Sequence, residues 1–330
     1  MTVAGVILNW NGIKLLKQFL PSVVDFSPEA TVYVADNASS DTSVEFVKKN
    51  FPKVKIIQNK VNGGYSKGYN DALSGLNEEL FILLNSDVQV TPHWLPPIIE
   101  LFEKYEDLGA AQPKILDFKN PEYFEYAGAA GGFLDKLGYP YCRGRIFNDL
   151  EKDEGQYDDE TNIFWASGAC LAIRRSAFFQ IGGLDEDYFA HQEEIDVCWR
   201  LHNFGFIVKY TPKSIVYHVG GATLSHMNPR KTYYNFRNSL FNLLKNLPVA
   251  QLLWILPIRM ILDGIAAIKF LVEGRGKHFF AILNAHLGFY KMLPVLLKKR
   301  KKVSKKFGDF PKFSIVCSHY FLGIKKFSEM

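Results

Sequence analysis

Short apolar runs and longer amphipathic segments alternate along the first part of the chain. Residues 3–8 (VAGVIL) are continuously apolar with β-branched members, the pattern of a buried strand. Residues 13–24 carry apolar positions at helical spacing. Residues 31–35 read as a second strand that ends at Asp36, and 43–49 as a helix after the turn NASSD. The alternation continues with a strand at 54–58, a helix at 66–76 behind the turn VNGG, and a strand at 80–84 that runs into Asn85. This order predicts an α/β fold, a Rossmann-like, mostly parallel sheet with helices on both faces.

Such sheets bind ligands at the carboxyl ends of their strands. Polar residues fall there after each predicted strand: Asn9 and Asn11, then Asp36 and Asn37, then Asn62 to Gly64, then Asn85 and Asp87. One polar strand end is explained by a turn. Four in succession predict a single crevice.

The middle, from about 112 to 160, is loop-rich and is expected to cover that crevice. A strand (ACLAIRR), a helix (SAFFQIGG), an acidic helix (QEEIDVCWRLHNFG) and a strand carrying His218 (IVKYTPKSIVYHVGG) follow. Beyond about residue 231 the chain turns helical and strongly apolar. The segment QLLWILPIRMILDGIAAIKFLV is long enough to span a bilayer, but it contains Pro257, Arg259, Asp263 and Lys269. Arg259 and Asp263 are four apart and can pair on one helix face. A helix lying in a membrane interface and a helix packed on the catalytic domain are both consistent with this pattern. The expected division is a catalytic domain at 1–240 and a basic, helical, membrane-associating segment at 241–330.

The composition changes this picture little. With 48% hydrophobic residues, 27 Phe and 16 Tyr, the chain can build a large core, which excludes a disordered protein. Cys142, Cys170, Cys198 and Cys317 are scattered and make no CxxC, so neither a zinc site nor a disulfide framework is expected, and a reducing compartment fits. The start, MTVAGVILNWNG, lacks a basic n-region and reads as a strand, so the catalytic part is expected in the cytoplasm. The charge adds more. Most of the net +5 lies in late tracts such as LLKKRKKVSKKFGDFPKF, behind an apolar stretch. That order favours anionic lipid headgroups, and peripheral attachment to the cytoplasmic face of a membrane, over a plain solvated tail. Nucleic acid is not expected, because the basic residues form a tail without interleaved aromatics.

Candidate chemistry centres on two stretches. Asp87 ends a buried strand, where a carboxylate needs a partner, and a divalent cation would serve. In QEEIDVCWR, Glu193 and Asp196 share a helix face, and Glu194 is turned toward the face of Cys198. A solvated acidic helix start is the plainer reading. The aromatic lead-in LDEDYFAHQ favours a partly enclosed position, where a carboxylate can act as a base. VNGGYSKGYN is glycine-rich but lacks both Walker and GxGxxG spacing.

In order, VILNWNG, VYVADNASSDTS, NGGYSKGYNDAL, LLNSDV, ASGACLAIRRSAF and GGLDEDYFAHQEEIDVCWRL resemble the family 2 glycosyltransferases of GT-A fold, especially rhamnosyltransferase-like members. The resemblance covers about residues 3–240. It implies that Asn85-Ser86-Asp87 stands where the family has its D-x-D motif, with Asp87 as a ligand of Mn²⁺ or Mg²⁺ and Asn85 in place of an acid. It implies a second metal ligand in His218, and nucleotide contacts from Asp36 with Asn9, Asn11, Asn37 and Asp41 nearby. Gly64, Lys67, Asn70 and Asn85 would line the donor side. Glu194 would be the catalytic base, with Glu193 the second candidate. Asp196 and Trp165 would support the acceptor side, and Arg174 or Arg230 would offset charge on the leaving diphosphate.

The implied activity is inverting transfer of a sugar, with dTDP-rhamnose among the possible donors, from a nucleotide diphosphate to a saccharide acceptor on a lipid. A sugar-1-phosphate nucleotidyltransferase would want a glycine-rich basic signature after the first strand, where NWNGIKLL stands. A non-catalytic relative that binds sugar nucleotides is the other alternative, and Asn85 is the residue that keeps it open.

Overall fold

A computed structural model describes residues 1–220, 228–300 and 314–330. The greater part of the late lysine tract expected to meet headgroups lies outside the described residues. The chain opens as β1 (Val3–Asn9), α1 (Ile13–Asp25), β2 (Ala30–Asp36), α2 (Ser43–Asn50), β3 (Lys55–Gln58), α3 (Gly64–Leu73) and β4 (Leu80–Asn85). These match the expected alternation, although α3 starts earlier and stops sooner than the apolar spacing suggested. A short β5 (Val88–Val90), α4 (Pro96–Lys104) and β6 (Leu108–Asp117) follow. Helix α4 opens on Pro96 and Pro97, whose fixed φ suits a first helical turn.

The segment expected to be loop folds in part as a small antiparallel sheet of β7 (Gly132–Leu134), β8 (Pro140–Cys142), β9 (Arg145–Ile146) and β10 (Asp149–Leu150). Then come β11 (Thr161–Asn162), β12 (Cys170–Arg174), α5 (Arg175–Ile181), α6 (Glu193–Asn203) and β13 (Ile207–His218). The main sheet runs β11-β13-β6-β12-β4-β1-β2-β3, with β5 added beside β13.

The sheet is mixed. β1 lies parallel to β2 and β4, β2 to β3, and β6 to β13, but β12 enters antiparallel between β4 and β6. The carboxyl ends of β1, β2, β3, β4, β6 and β13 therefore meet at one edge, while β12 delivers its amino end there. One face of the sheet packs against Leu16, Leu20, Val47, Ile98 and Phe102. The other packs against Tyr69, Phe178, Trp199 and Leu240.

The chain continues as α7 (Pro229–Asn246), α8 (Val249–Val272), α9 (Gly276–Lys299) and α10 (Ile315–Tyr320). Helix α7 crosses the change of texture near residue 240 without a break. Leu240, Phe241, Ile255, Phe289 and Leu296 belong to the same apolar cluster as the catalytic sheet. Arg259 and Asp263 do approach each other, at 4.0 Å, and both are buried. The guanidinium donates to the Leu137 carbonyl at 3.0 Å and to Ser239 Oγ at 2.7 Å, and it lies 3.6 Å from the Tyr139 ring centre. Asp263 meets His286 Nε2 at 3.2 Å. Arg259 and Asp263 thus face the protein, while Lys269 lies exposed beside Glu273, and Leu253, Ile261, Ile265, Ile268 and Val272 are exposed. Helix α9 alone among the described residues is long and apolar enough to cross a membrane, by length and composition.

Candidate active site

The crevice at the carboxyl edge is knitted from the polar strand ends. Asn9 Nδ2 donates to Asp36 Oδ1 at 3.0 Å, and the Ser39 N–H donates to Asp36 Oδ2 at 3.0 Å. Asn9 Oδ1 is buried without a hydrogen-bond partner among the described residues. Asn37 Nδ2 donates to Asn62 Oδ1 and to the Gly64 carbonyl, both at 3.0 Å, which ties the second strand end to the glycine turn. Asn11 Oδ1 accepts from the Ser40 N–H at 2.8 Å. Asp41 accepts from the Ile13 N–H at 3.1 Å, at the start of α1, and from Ser43. Burial would raise the Asp41 pKa, but the Ser43 hydroxyl and these N–H groups outweigh it and hold the carboxyl below its usual range. Gly64 sits at φ +78°, where a Cβ would fall 2.5 Å from the Phe189 carbonyl, so only glycine lets this turn close on the loop ahead of α6.

Lys67 and Asn70 serve the same loop. Lys67 pairs with Asp71 at 2.9 Å. Asn70 donates to the Leu184 carbonyl at 2.8 Å and accepts from its N–H at 2.9 Å, so its amide is engaged by backbone. Trp165 donates Nε1 to the Phe133 carbonyl at 3.0 Å, bracing the small sheet.

At β4 the chain bends back. Val88 pairs with His218 across the β5–β13 ladder, which sets Asp87 beside the end of β13. Asp87 Oδ1 and His218 Nε2 are 3.2 Å apart, and both residues are buried. On the other side of the ring, His218 Nδ1 is 3.2 Å from Glu125 Oε1, an ion-pair contact without hydrogen-bond alignment. Burial works against charge on this imidazole, but the Glu125 carboxylate and contacts with Asp87 prevail, and the pKa is raised to about 10. Glu125 comes from the middle segment, and sequence reasoning missed it. Its only signal is an acid set among aromatic and small residues in YFEYAGAAGG.

These groups suit a divalent cation. Donor atoms that bind one ion at about 2.1 Å at right angles lie about 3 Å apart, close to the Asp87–His218 separation. Asn85 is half-buried and makes no side-chain hydrogen bond to the described residues. Among the described residues no three His, Cys, Asp or Glu side chains converge as a complete cage. The pair would leave several positions to substrate oxygens, as Mg²⁺ and Mn²⁺ commonly require.

Helix α6 brings the second pair of acids. Its entry is two consecutive left-handed residues, His191 at φ 68° and Gln192 at φ 72°. Asn238 donates to the carbonyls of Ala190 and His191 at 3.0 and 2.7 Å, and Asn242 to that of Gln192 at 3.3 Å, so α7 holds this turn. Glu193 is buried, and its Oε2 has no hydrogen-bond partner among the described residues. Burial, then the neighbouring Glu194, push its pKa well above the carboxylate range. Glu194 keeps part of its surface accessible while lying among protein atoms, and burial pushes its pKa up to about 7. A Cβ on Gly168 would stand 3.8 Å from that of Glu194, and Ala169 accepts from the Asn85 N–H at 3.0 Å. Glu194 therefore borders the same strand end as Asn85. Asp196 is fully engaged, by Arg200 and Lys245 at 2.8 Å and Asn246 at 3.0 Å.

Residues 6–182 match the model of the family described as glycosyl transferase family 2. The chain belongs to glycosyl transferase family 2. This glycosyltransferase is 29% identical over 222 residues to the N-acetylglucosaminyl-diphospho-decaprenol L-rhamnosyltransferase of Mycobacterium tuberculosis, covering 62% of this chain and 71% of that protein. It is 27% identical over 202 residues to the low-salt glycan biosynthesis hexosyltransferase Agl10 of Haloferax volcanii, covering 59% and 60%. Its fold matches the mannosyltransferase PcManGT of Pyrobaculum calidifontis, solved with GDP-Man and Mn²⁺, with a TM-score of 0.55 at 12% identity, over 87% of this chain and 86% of that one. S. aureus TarS 1–349, solved with UDP-GlcNAc, gives 0.56 at 16% identity, over 92% and 88%. These structural likenesses establish the GT-A fold of the glycosyltransferase.

One expectation about the site fails. Arg174 pairs with Leu80, at the amino end of β4, and its guanidinium donates to the carbonyls of Leu108, Phe102 and Tyr105. Because β12 is antiparallel, its last residue lies at the sheet edge opposite the crevice and cannot meet a leaving diphosphate. Arg230, in the first turn of α7, packs on Phe189 and Tyr234 beside the Gly64 turn.

Proposed function

We propose that the protein is an inverting glycosyltransferase that moves a sugar, rhamnose from dTDP-rhamnose as the first candidate, onto a hydroxyl of a lipid-linked saccharide at the cytoplasmic face of a membrane. The observation that carries this reading is the poise of Glu194, an accessible carboxyl with a pKa near 7 at the strand end that also bears Asn85 and Asp87.

In this reading Asp36, Asn9, Asn11, Asn37 and Asp41 form the nucleoside end of the donor site, with Gly64, Lys67 and Asn70 along its side. Asp87 and His218 would hold a divalent cation, Mn²⁺ or Mg²⁺, which offsets charge on the departing diphosphate. Glu194 removes the acceptor hydroxyl proton as that oxygen bonds to the anomeric carbon and the bond to the diphosphate breaks. One base and one displacement give inversion, by the stereochemical logic of inverting glycosidases. Asp196 and Trp165 hold the scaffold behind the acceptor. The rhamnosyl relative, whose name specifies a diphospho-decaprenol acceptor, supports the donor and acceptor classes. The exposed apolar face of α8 and the basic tract support attachment to a membrane surface.

The test is a transfer assay with dTDP-rhamnose, UDP-hexoses and GDP-sugars, a lipid-diphosphate saccharide acceptor, and Mn²⁺ or EDTA. One donor consumed, with product of inverted anomeric configuration by NMR, is expected. Retained configuration, or no turnover with any donor, would refute the proposal.

A further inference from the structure

The Mn²⁺ or Mg²⁺ reading of Asp87 and His218 leaves Glu125 without a role, although it is the closest acidic group to the other nitrogen of the ring. Its carboxylate is buried, 3% exposed, and is placed from several directions. Oε2 accepts from the Ala127 N–H at 2.5 Å, two residues on. The Glu125 N–H donates to the Ile115 carbonyl at 3.0 Å, which ties the segment to β6. Ser167, one residue before the Gly168 that borders Glu194, donates its hydroxyl to the Ala127 carbonyl. The backbone beyond His218 is shaped to admit this acid: Gly220 sits at φ +65°, and a Cβ there would stand 2.9 Å from Glu125 Oε1. A buried carboxylate fixed at its far oxygen, with its near oxygen in ion-pair contact with Nδ1 at 3.2 Å though not aligned as a hydrogen bond, limits where the ring can turn.

We propose that Glu125 is the positioning residue of the metal site: its carboxylate holds the His218 ring through Nδ1, so that Nε2 faces the same point as the Asp87 carboxylate. Glu125 does not itself bind the cation, because the ring lies between it and Asp87. A carboxylate behind a ligating histidine fixes the tautomer, with the proton on Nδ1 and the lone pair on Nε2, and makes the ring a stronger donor. This rests on the metal reading of Asp87 and His218 given above.

The test measures Mn²⁺ binding to the full chain directly, by electron paramagnetic resonance of unbound Mn²⁺ and by calorimetry, with and without UDP or dTDP. Glu125→Gln is expected to weaken Mn²⁺ binding about 10- to 100-fold, with nucleotide binding in EDTA and the melting temperature close to wild type. In a His218→Ala background the same change should cost nothing further, because Glu125 acts through the ring. Glu125→Asp should recover part of the loss. If Glu125→Gln fails to fold, Gly220→Ala supplies the second variant, since its Cβ displaces the carboxylate and should weaken Mn²⁺ in the same way. Wild-type Mn²⁺ affinity in a folded Glu125→Gln protein, or an equal loss in the His218→Ala background, overturns the proposal while leaving the metal site standing. No Mn²⁺ binding by the wild-type protein overturns both.

Discussion

Lys245 Nζ stands 2.8 Å from Asp196 Oδ1, bridging α7 to the helix that carries Glu193 and Glu194. The same ammonium pairs with Asp185 at 2.5 Å, and Lys299, at the end of α9, pairs with Asp185 at 2.5 Å and Asp187 at 2.7 Å. The C-terminal helices are therefore fastened to the loop that leads into the candidate base. Both Asp185 and Asp196 lie in ground where burial would raise their pKa values. For Asp185 the neighbouring ammonium groups of Lys245 and Lys299 reverse the shift, and for Asp196 Arg200 and Lys245 do.

Removing Lys245 should be costly. Lys245→Met leaves two buried carboxylates short of a partner, and breaking a buried pair this way typically costs about 3–5 kcal/mol. Urea unfolding should show that loss, and a variant within 1 kcal/mol of wild type, on the order of a surface change, would contradict the network. The pH dependence has a definite sign. Both carboxyls have lowered pKa values when folded, so their stabilisation is complete above about pH 4, the usual unfolded value. It is lost as pH falls through the folded values. Acid unfolding of wild type should therefore be steeper than that of Lys245→Met.

The two glutamates should separate in kinetics. Glu194 must be ionised to take a proton, so kcat/KM should rise with pH and level off above an apparent pKa near 7. Glu194→Gln should reduce turnover by about 10²- to 10⁴-fold while donor binding persists. Burial and the neighbouring Glu194 push the Glu193 pKa well above its usual value, which favours the protonated form that glutamine resembles. Glu193→Gln should keep most of the activity. A raised carboxyl pKa means that the folded state holds its proton more tightly, so stability falls as pH rises above the unfolded value. Glu193→Gln removes that penalty and should melt no lower than wild type at pH 8. The reverse ranking of the two variants would assign the base to Glu193.

Donor binding should depend on Asp87. Calorimetry of Asp87→Asn and His218→Ala with UDP, dTDP and GDP should show loss of the Mn²⁺-dependent part of binding. The part seen in EDTA should persist, because Asn9 is bonded to Asp36, and Asn37 to Asn62 and Gly64, none of them to Asp87. Equal nucleotide affinity with and without Mn²⁺ in wild type would argue against a metal at this strand end.

Membrane attachment should follow the bare face of α8. Leu253, Ile261 and Ile265 are each more than half exposed, at 73%, 65% and 58%. Burying such a side chain is worth roughly 1.5–3 kcal/mol. Replacing all three with glutamate should lower flotation with anionic vesicles by more than tenfold and leave the melting temperature nearly unchanged. Undiminished flotation would place the contact elsewhere.

Much of the architecture was legible in the sequence, because its signals are local. Apolar runs and helical spacing reported β1 to β4 and α1 to α3, and the polar residue after each strand marked the crevice. The acidic start of α6 was legible for the same reason: spacing along one helix sets which acids share a face. What depended on pairing between distant segments was not. The direction of β12 has no local signature, so Arg174 was expected at the crevice and lies at the opposite edge. The apolar length of α8 left two readings open, and packing answered part of the question by turning Arg259 and Asp263 toward Leu137, Ser239 and His286. Asp87 and His218 were each conspicuous as polar strand ends, but only the β5–β13 ladder sets them 3.2 Å apart. Glu125 carried only the faint signal of an acid set among aromatic and small residues. Its neighbours in the chain carry no periodicity, and its position behind the ring arises only where the loop after β6 folds over the end of β13. Periodicity reports what a residue's near neighbours in sequence impose, whereas a site assembled from several strand ends is set by long-range strand pairing and burial.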